Sequence, residues 1–197
     1  MKRKVLLLFI AMSTLTVCAQ SNFRKGYVIT LQQDTLHGFV DFRADQTNVK
    51  LCRFKQNAHG EVVTYLPGSI TGYRFVEEGK FYVSKVVELD QVQHTYFLEY
   101  LIQGLKNLYY LPLGNGYFYF EDADGAMVSI TKAPDAIVDY RVKEDVRYKG
   151  MLNYVFRDYL PLSEATAKAG FDKASMIKIT KEYHERVCDT GEPCIIF

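Results

Sequence analysis

The sequence predicts an α+β protein: about nine or ten antiparallel β-strands, barrel-like or sandwiched, followed by about three C-terminal helices packed on the sheet. Three observations predict it. Short runs rich in Val, Ile, Tyr, Phe and Thr alternate with turn residues from Phe23 to about Tyr140. Near Lys143 the apolar spacing changes from strand-like to helical. The composition, 48% hydrophobic with only 5 Pro, is that of a chain that buries a core.

The elements follow in order. Met1-Lys2-Arg3-Lys4 is a cationic start, residues 5–17 are apolar but too short to span a bilayer, and Val17-Cys18-Ala19 offers a cleavage site. Residues 1–19 therefore read as a signal peptide, cut after Ala19, and the protein as exported to the periplasm or the outer membrane. Leu15-Thr16-Val17-Cys18 also looks like a lipobox, departing from one at Val17, which makes Cys18 a candidate lipidation site and lipid anchor. The chain carries 24 Lys+Arg and 23 Asp+Glu; cleavage removes three of the cations and none of the anions, so the mature domain has a net charge of −2. Nucleic acid is an unsuitable partner for such a surface. No later apolar run is long enough for a transmembrane helix.

Residues 20–142 form the β region. Segments 25–31 and 36–43 flank Gln32-Gln33-Asp34-Thr35 as a hairpin. Segments 48–55, 62–66, 70–76, 81–87, 95–102, 107–111, 117–120 and 127–131 follow, the last two joined through Asp122-Ala123-Asp124-Gly125. Residues 143–197 form the helical region of the same domain. Tyr148, Met151, Leu152, Val155 and Phe156 stripe the first helix, and residues 158–161 end it. Ser163 caps a short second helix and Asp172 a third, striped by Met176, Thr180, Tyr183 and Val187.

Cys52 sits in a strand and reads as a buried thiol. Cys188 and Cys194 are the natural disulfide pair of an oxidising compartment, with Gly191 and Pro193 turning the loop between them. His184 with these two cysteines could supply three zinc ligands, but no C-x-x-C knuckle supports it. The terminal Cys194-Ile195-Ile196-Phe197 matches a prenylation box by chance, since an exported chain does not meet that chemistry.

Motifs for catalysis are missing. His37, His59, His94 and His184 lie in no H-E-x-x-H pattern, and there is no G-x-S-x-G elbow. Glu121-Asp122-Ala123-Asp124-Gly125 is acidic enough to suggest calcium, yet reads better as an Asp-Gly turn. No cofactor is implied. The conspicuous feature is aromatic: the chain has 15 Tyr, 13 Phe and no Trp, and residues 96–120 hold a dense share of them. Tyr96, Tyr100, Tyr109, Tyr110, Tyr117 and Tyr119 are the candidate ligand surface. Adjacent rings such as Tyr109-Tyr110 must point to opposite faces, so helices covering one face would turn part of this set into core.

Several segments resemble an uncharacterised family of exported envelope proteins from Gram-negative bacteria. They are Phe23-Arg24-Lys25-Gly26-Tyr27-Val28-Ile29-Thr30, Asp34-Thr35-Leu36-His37-Gly38 with Val40-Asp41-Phe42, and Thr64-Tyr65-Leu66-Pro67 running on to Gly72-Tyr73-Arg74-Phe75. Ile179-Thr180-Lys181-Glu182-Tyr183-His184-Glu185 with Cys188 and Cys194 is similar to that family's closing motif. The resemblance implies an extracytoplasmic module, in some relatives followed by an outer-membrane β-barrel that these 197 residues do not include. It implies no established activity. Some relatives are labelled GTPases; here Gly79-Lys80 is followed by Phe81 and lacks a P-loop.

The expectation is thus a non-enzymatic envelope module that contacts an envelope protein or surface ligand. The alternatives are a small-ligand or glycan-binding domain using the tyrosines, and an exported hydrolase. The hydrolase requires His37, His94 or His184 beside a carboxylate or hydroxyl in a concave pocket.

Overall fold

The structure, a computed structural model, describes residues 22–138, 140–188 and 195–197. It is an α+β fold: a large antiparallel sheet with helices after it. The strands are β1 (Phe23–Ile29), β2 (Thr35–Asp41), β3 (Cys52–Lys55), β4 (Val63–Tyr65), β5 (Gly72–Phe75), β6 (Phe81–Leu89), β7 (Val92–Gln103), β8 (Asn107–Leu111), β9 (Tyr117–Glu121) and β10 (Met127–Thr131). They lie in the order β10-β9-β8-β7-β6-β5-β1-β2-β3-β4, so the path is open, neither a closed barrel nor two stacked sheets.

The sheet nevertheless coils tightly. Gly26 and Gly38 face each other across β1 and β2. A Cβ on Gly26 would lie 2.3 Å from the Arg74 carbonyl oxygen, and one on Gly38 2.4 Å from that of Lys55. Neighbouring backbones close in this far only over glycine. The coil brings the chain between β2 and β3 onto β7. There, a one-turn helix α1 (Asp45–Asn48) replaces the start of the strand expected from residue 48. The Asn48 amide accepts from Arg43 N–H at 3.2 Å and donates to its carbonyl at 3.0 Å, closing the turn. Tyr73 Oη then donates to the Asn48 carbonyl at 2.6 Å, and Phe97 N–H to that of Val49 at 2.9 Å. Val28, Val40, Phe54, Tyr73, Phe75, Tyr82 and Phe97 are buried in this half.

Three helices follow: α2 (Arg147–Val155), α3 (Ser163–Lys168) and α4 (Lys173–Val187). Tyr148, Leu152 and Val155 bury one face of α2. Asp172 caps α4, accepting from Ser175 N–H at 2.9 Å, as its position predicts. Ser163 is not a cap; a 3-10 turn over Leu160–Leu162 leads straight into α3, whose first residue it is. The helices bury Phe118, Phe120, Leu108 and Ile130, and an irregularity in pairing between Tyr100 and Ile102 turns both Leu101 and Ile102 into this second cluster.

Three features were not expected from the sequence. The β6–β7 hairpin closes through Asp90-Gln91, both at positive φ (50° and 64°), without the glycine that marks such turns. Residues 136–143 form a separate two-stranded ribbon, β11 (Ala136–Val138) and β12 (Arg141–Lys143). Ile195–Ile196 form β13, which pairs with β7. Among the described residues no helix is long and apolar enough to cross a membrane.

Candidate functional site

Strand register sorts the six candidate tyrosines. Tyr100 stands opposite Tyr109, and Tyr109 opposite Tyr119; Tyr96 and Tyr117 share their face by even spacing. Tyr110 points the other way, opposite Glu99 and Phe118, where Lys173 Nζ lies 4.6 Å from its ring centre. The helices cover the Tyr110 side: Phe118 meets Phe171 and Phe120 meets Phe156, both edge to face.

The five-tyrosine face is enclosed by the curl of the sheet instead. Lys85 of β6 reaches Glu121 of β9 at 2.6 Å, three strands away, which only a concave face permits. Glu121 also accepts from Tyr109 Oη at 2.6 Å and Asn107 Nδ2 at 3.2 Å, and Tyr100 Oη donates to Asn107 Oδ1 at 2.7 Å. Burial opposes ionisation of Glu121, but the bond from Lys85, then that from Tyr109, outweigh it and hold its carboxyl below the usual range. Tyr100, Tyr109 and Tyr119 are buried, the last with its hydroxyl unpartnered among the described residues. Tyr96 and Tyr117 remain half-exposed at the rim. This face is a hydrogen-bonded interior more than an open platform.

The histidines are dispersed. His37 lies against Tyr27 and His94 against Tyr96. His184 is buried; its Nε2 accepts from Lys106 N–H at 3.1 Å, so Nδ1 carries the proton, and among the described residues Nδ1 has no partner. Among the described residues, none of these three bonds to a carboxylate or hydroxyl. The acidic run is also occupied: Asp122 pairs with Lys106 at 2.8 Å and Asp124 accepts from Ala126 N–H at 2.9 Å, a hairpin turn around Gly125. No group of His, Cys, Asp and Glu that could hold a metal occurs among the described residues. Cys52 is a buried free thiol. Cys18 and Cys194, and with Cys194 the expected Cys188–Cys194 pairing, lie outside the described residues, as does the expected signal peptide.

His184 gives a pH prediction. Burial, then the neighbouring Lys106 ammonium, push its pKa below the ordinary 6.5. The unfolded chain then binds the proton more readily than the folded one. The stability that this neutral histidine contributes is complete above pH 6.5 and is lost as pH falls below it, by at most about 1.4 kcal/mol per pH unit. Asp45 and Glu121, whose ordinary values are 3.8 and 4.5, act only at lower pH. Chemical denaturation between pH 7 and pH 5 is therefore expected to show a decline that His184→Gln flattens; an equal slope in both proteins would contradict it.

What the sequence reading missed is the β11–β12 ribbon. Ile137 and Val142 are cross-strand partners, 80% and 73% exposed, and Tyr140 at the turn, with φ of 60°, is wholly exposed. The stem is fixed by charge. Lys132 Nζ bridges Asp135 at 3.3 Å and Glu144 at 3.1 Å, and Asp145 accepts from Ala133 N–H at 2.8 Å and Arg147 Nε at 2.7 Å. Beside the stem an open groove of about 660 Å³ runs between β10 and α2, lined by Tyr117, Ser129, Thr131, Lys132, Arg147 and Met151. The alternation of apolar and charged residues over 138–143 was the available signal, hidden by the shortness of each strand.

Compared with protein-family models, with curated proteins and with solved structures, the chain matches none.

Proposed function

We propose that this protein is a non-enzymatic, exported module of the cell envelope that acts by docking onto another protein through its β11–β12 ribbon. The observation that carries the reading is the exposure of Ile137, Tyr140 and Val142 on a ribbon that, among the described residues, pairs with no other strand. Large apolar groups held clear of the domain on an anchored stem are costly in water and mark contact surfaces. An isolated two-stranded ribbon is itself marginal, so its charged stem matters. Arg141 and Lys143 of the ribbon favour a partner whose apolar surface has an acidic border. A protein is favoured over a bilayer because residues 132–147 carry four cations against four acids, with Asp135, Glu144 and Asp145 in ion pairs, and so offer no net positive charge to anionic lipid. The signal-peptide-like start, residues 1–19, and the segments that resemble exported envelope proteins support an envelope location.

The test is competition. A photo-crosslinker at Tyr140 is expected to trap one discrete protein adduct in envelope extract, which unlabelled wild type suppresses. The triple variant Ile137→Ser, Tyr140→Ser, Val142→Ser should fail to suppress it while melting within about 2 °C of wild type, since it alters only exposed side chains. Equal suppression by the variant would defeat the proposal, and binding to vesicles of anionic lipid would replace it with a membrane role. A second reading, a small ligand or glycan held by tyrosine, draws on the groove beside Tyr117.

A further inference from the structure

Strand β7 runs for 12 residues, but β6 pairs with it only as far as Tyr100, where Phe81 is the partner. On the β6 side, Leu101 to Gln103 would be left as an open edge. Residues 195–197 occupy it. Ile195 pairs with Gln103, Ile196 with Ile102, and Phe197 N–H donates to the Leu101 carbonyl at 3.1 Å.

The side chains divide unequally. Ile195 and Ile196 are about half exposed, so they add little grip. Phe197 supplies the anchor: its ring centre lies 5.1 Å from that of Phe81 and 4.9 Å from that of Tyr100, with the Arg74 guanidinium 5.1 Å away. Tyr100 is held from behind by stacking on Tyr109 at 4.5 Å. The notch is thus built from three separate strands, with Tyr100 backed by Tyr109. Backbone pairing along an open edge plus one side-chain pocket is the physics of strand addition.

We propose that the open edge of β7 and the Arg74–Phe81–Tyr100 notch form a peptide-docking site for an extended apolar segment of another polypeptide carrying an aromatic residue, and that residues 195–197 block it in cis. The tail itself shows the chemistry the site takes. Its hold is small, two paired residues and one ring, so a longer strand of the same character displaces it. The tail then sets a threshold, lowering the apparent affinity of any incoming segment by the fraction of molecules in which the site is closed.

The site is distinct from the β11–β12 ribbon, so either can fail alone. The test uses a fluorescent peptide of sequence Ser-Ile-Ile-Phe, titrated with wild type, with Phe197→Ala, and with a chain ending at residue 194. Both altered chains are expected to bind the peptide about tenfold tighter than wild type. Tyr100→Ala or Arg74→Ala added to Phe197→Ala should remove the gain, and a peptide with Ala in place of Phe should not bind. Circular dichroism establishes that each chain is folded, and the shortened chain serves should Phe197→Ala fail. Equal binding by all three chains, or none at millimolar protein, overturns the proposal. A concentration-dependent dimer of wild type that Phe197→Ala abolishes would also overturn it, since the occupant would then be a second copy's tail.

Discussion

Replacing Phe120 by alanine is expected to cost about 3–5 kcal/mol of unfolding free energy, while Tyr117→Ala, three residues away in the same strand, costs within about 1 kcal/mol. Phe120 is among the largest fully buried side chains and meets Phe156 of α2's C-terminal end edge to face at 5.5 Å. Truncation removes the transfer energy of the ring and leaves a cavity between sheet and helices that a rigid strand cannot close. Tyr117 points to the opposite face, half-exposed beside the groove. Denaturant midpoints for the two variants measure the difference. Similar costs would mean that the helices do not cover the face on which Phe118 and Phe120 lie.

The second large effect concerns Lys173. Its ammonium bonds Glu99 Oε2, and Glu99 is 95% buried in the middle of β7. Lys80 is 3.7 Å from the other oxygen of Glu99 but is bonded to Asp45 at 2.6 Å, and Tyr82 Oη also donates to Asp45. This cluster joins α1, the β5–β6 turn, β7 and the first turn of α4, which makes it the polar seam between the two halves of the core. Lys173→Met keeps the apolar stem but strands the buried carboxylate, at a cost of about 2–3 kcal/mol, reduced from the fully buried case because Lys173 is a third exposed. Adding Glu99→Gln to Lys173→Met should recover most of that loss, a coupling read by a double-mutant cycle. Strictly additive losses would show that the two residues do not sustain each other.

The sequence was most informative where local rules decide the outcome. Strand positions followed from β-branched and aromatic runs between turns, and Asp172 announced α4 because an N-cap needs only its own side chain and the next turn. What depended on long-range geometry stayed hidden. Residues 48–51 have strand-like composition, but Tyr73 and Phe97 claim the Asn48 and Val49 carbonyls from elsewhere in the sheet and fold them into a turn. Asp90-Gln91 turns without glycine because the long strands on either side enforce it. For the candidate site, alternation correctly required Tyr109 and Tyr110 to diverge. It could not say that the sheet's own curl would enclose Tyr109 while Lys173 and the helices would meet Tyr110. The β11–β12 ribbon escaped because a three-residue strand carries too short a pattern to stand out from a loop.

The central claim, that the ribbon is a contact surface, is tested most directly by its accessibility in place. Tyr140→Cys and, as a control, Leu31→Cys put a reactive thiol on the ribbon and on the exposed β1–β2 turn, where Leu31 is 57% exposed. Maleimide labelling rates are then compared in the purified protein and in native envelope fractions. The account predicts equal, fast labelling of both when purified, and several-fold slower labelling at position 140 alone in the envelope. Equal rates at position 140 in the two settings would contradict it.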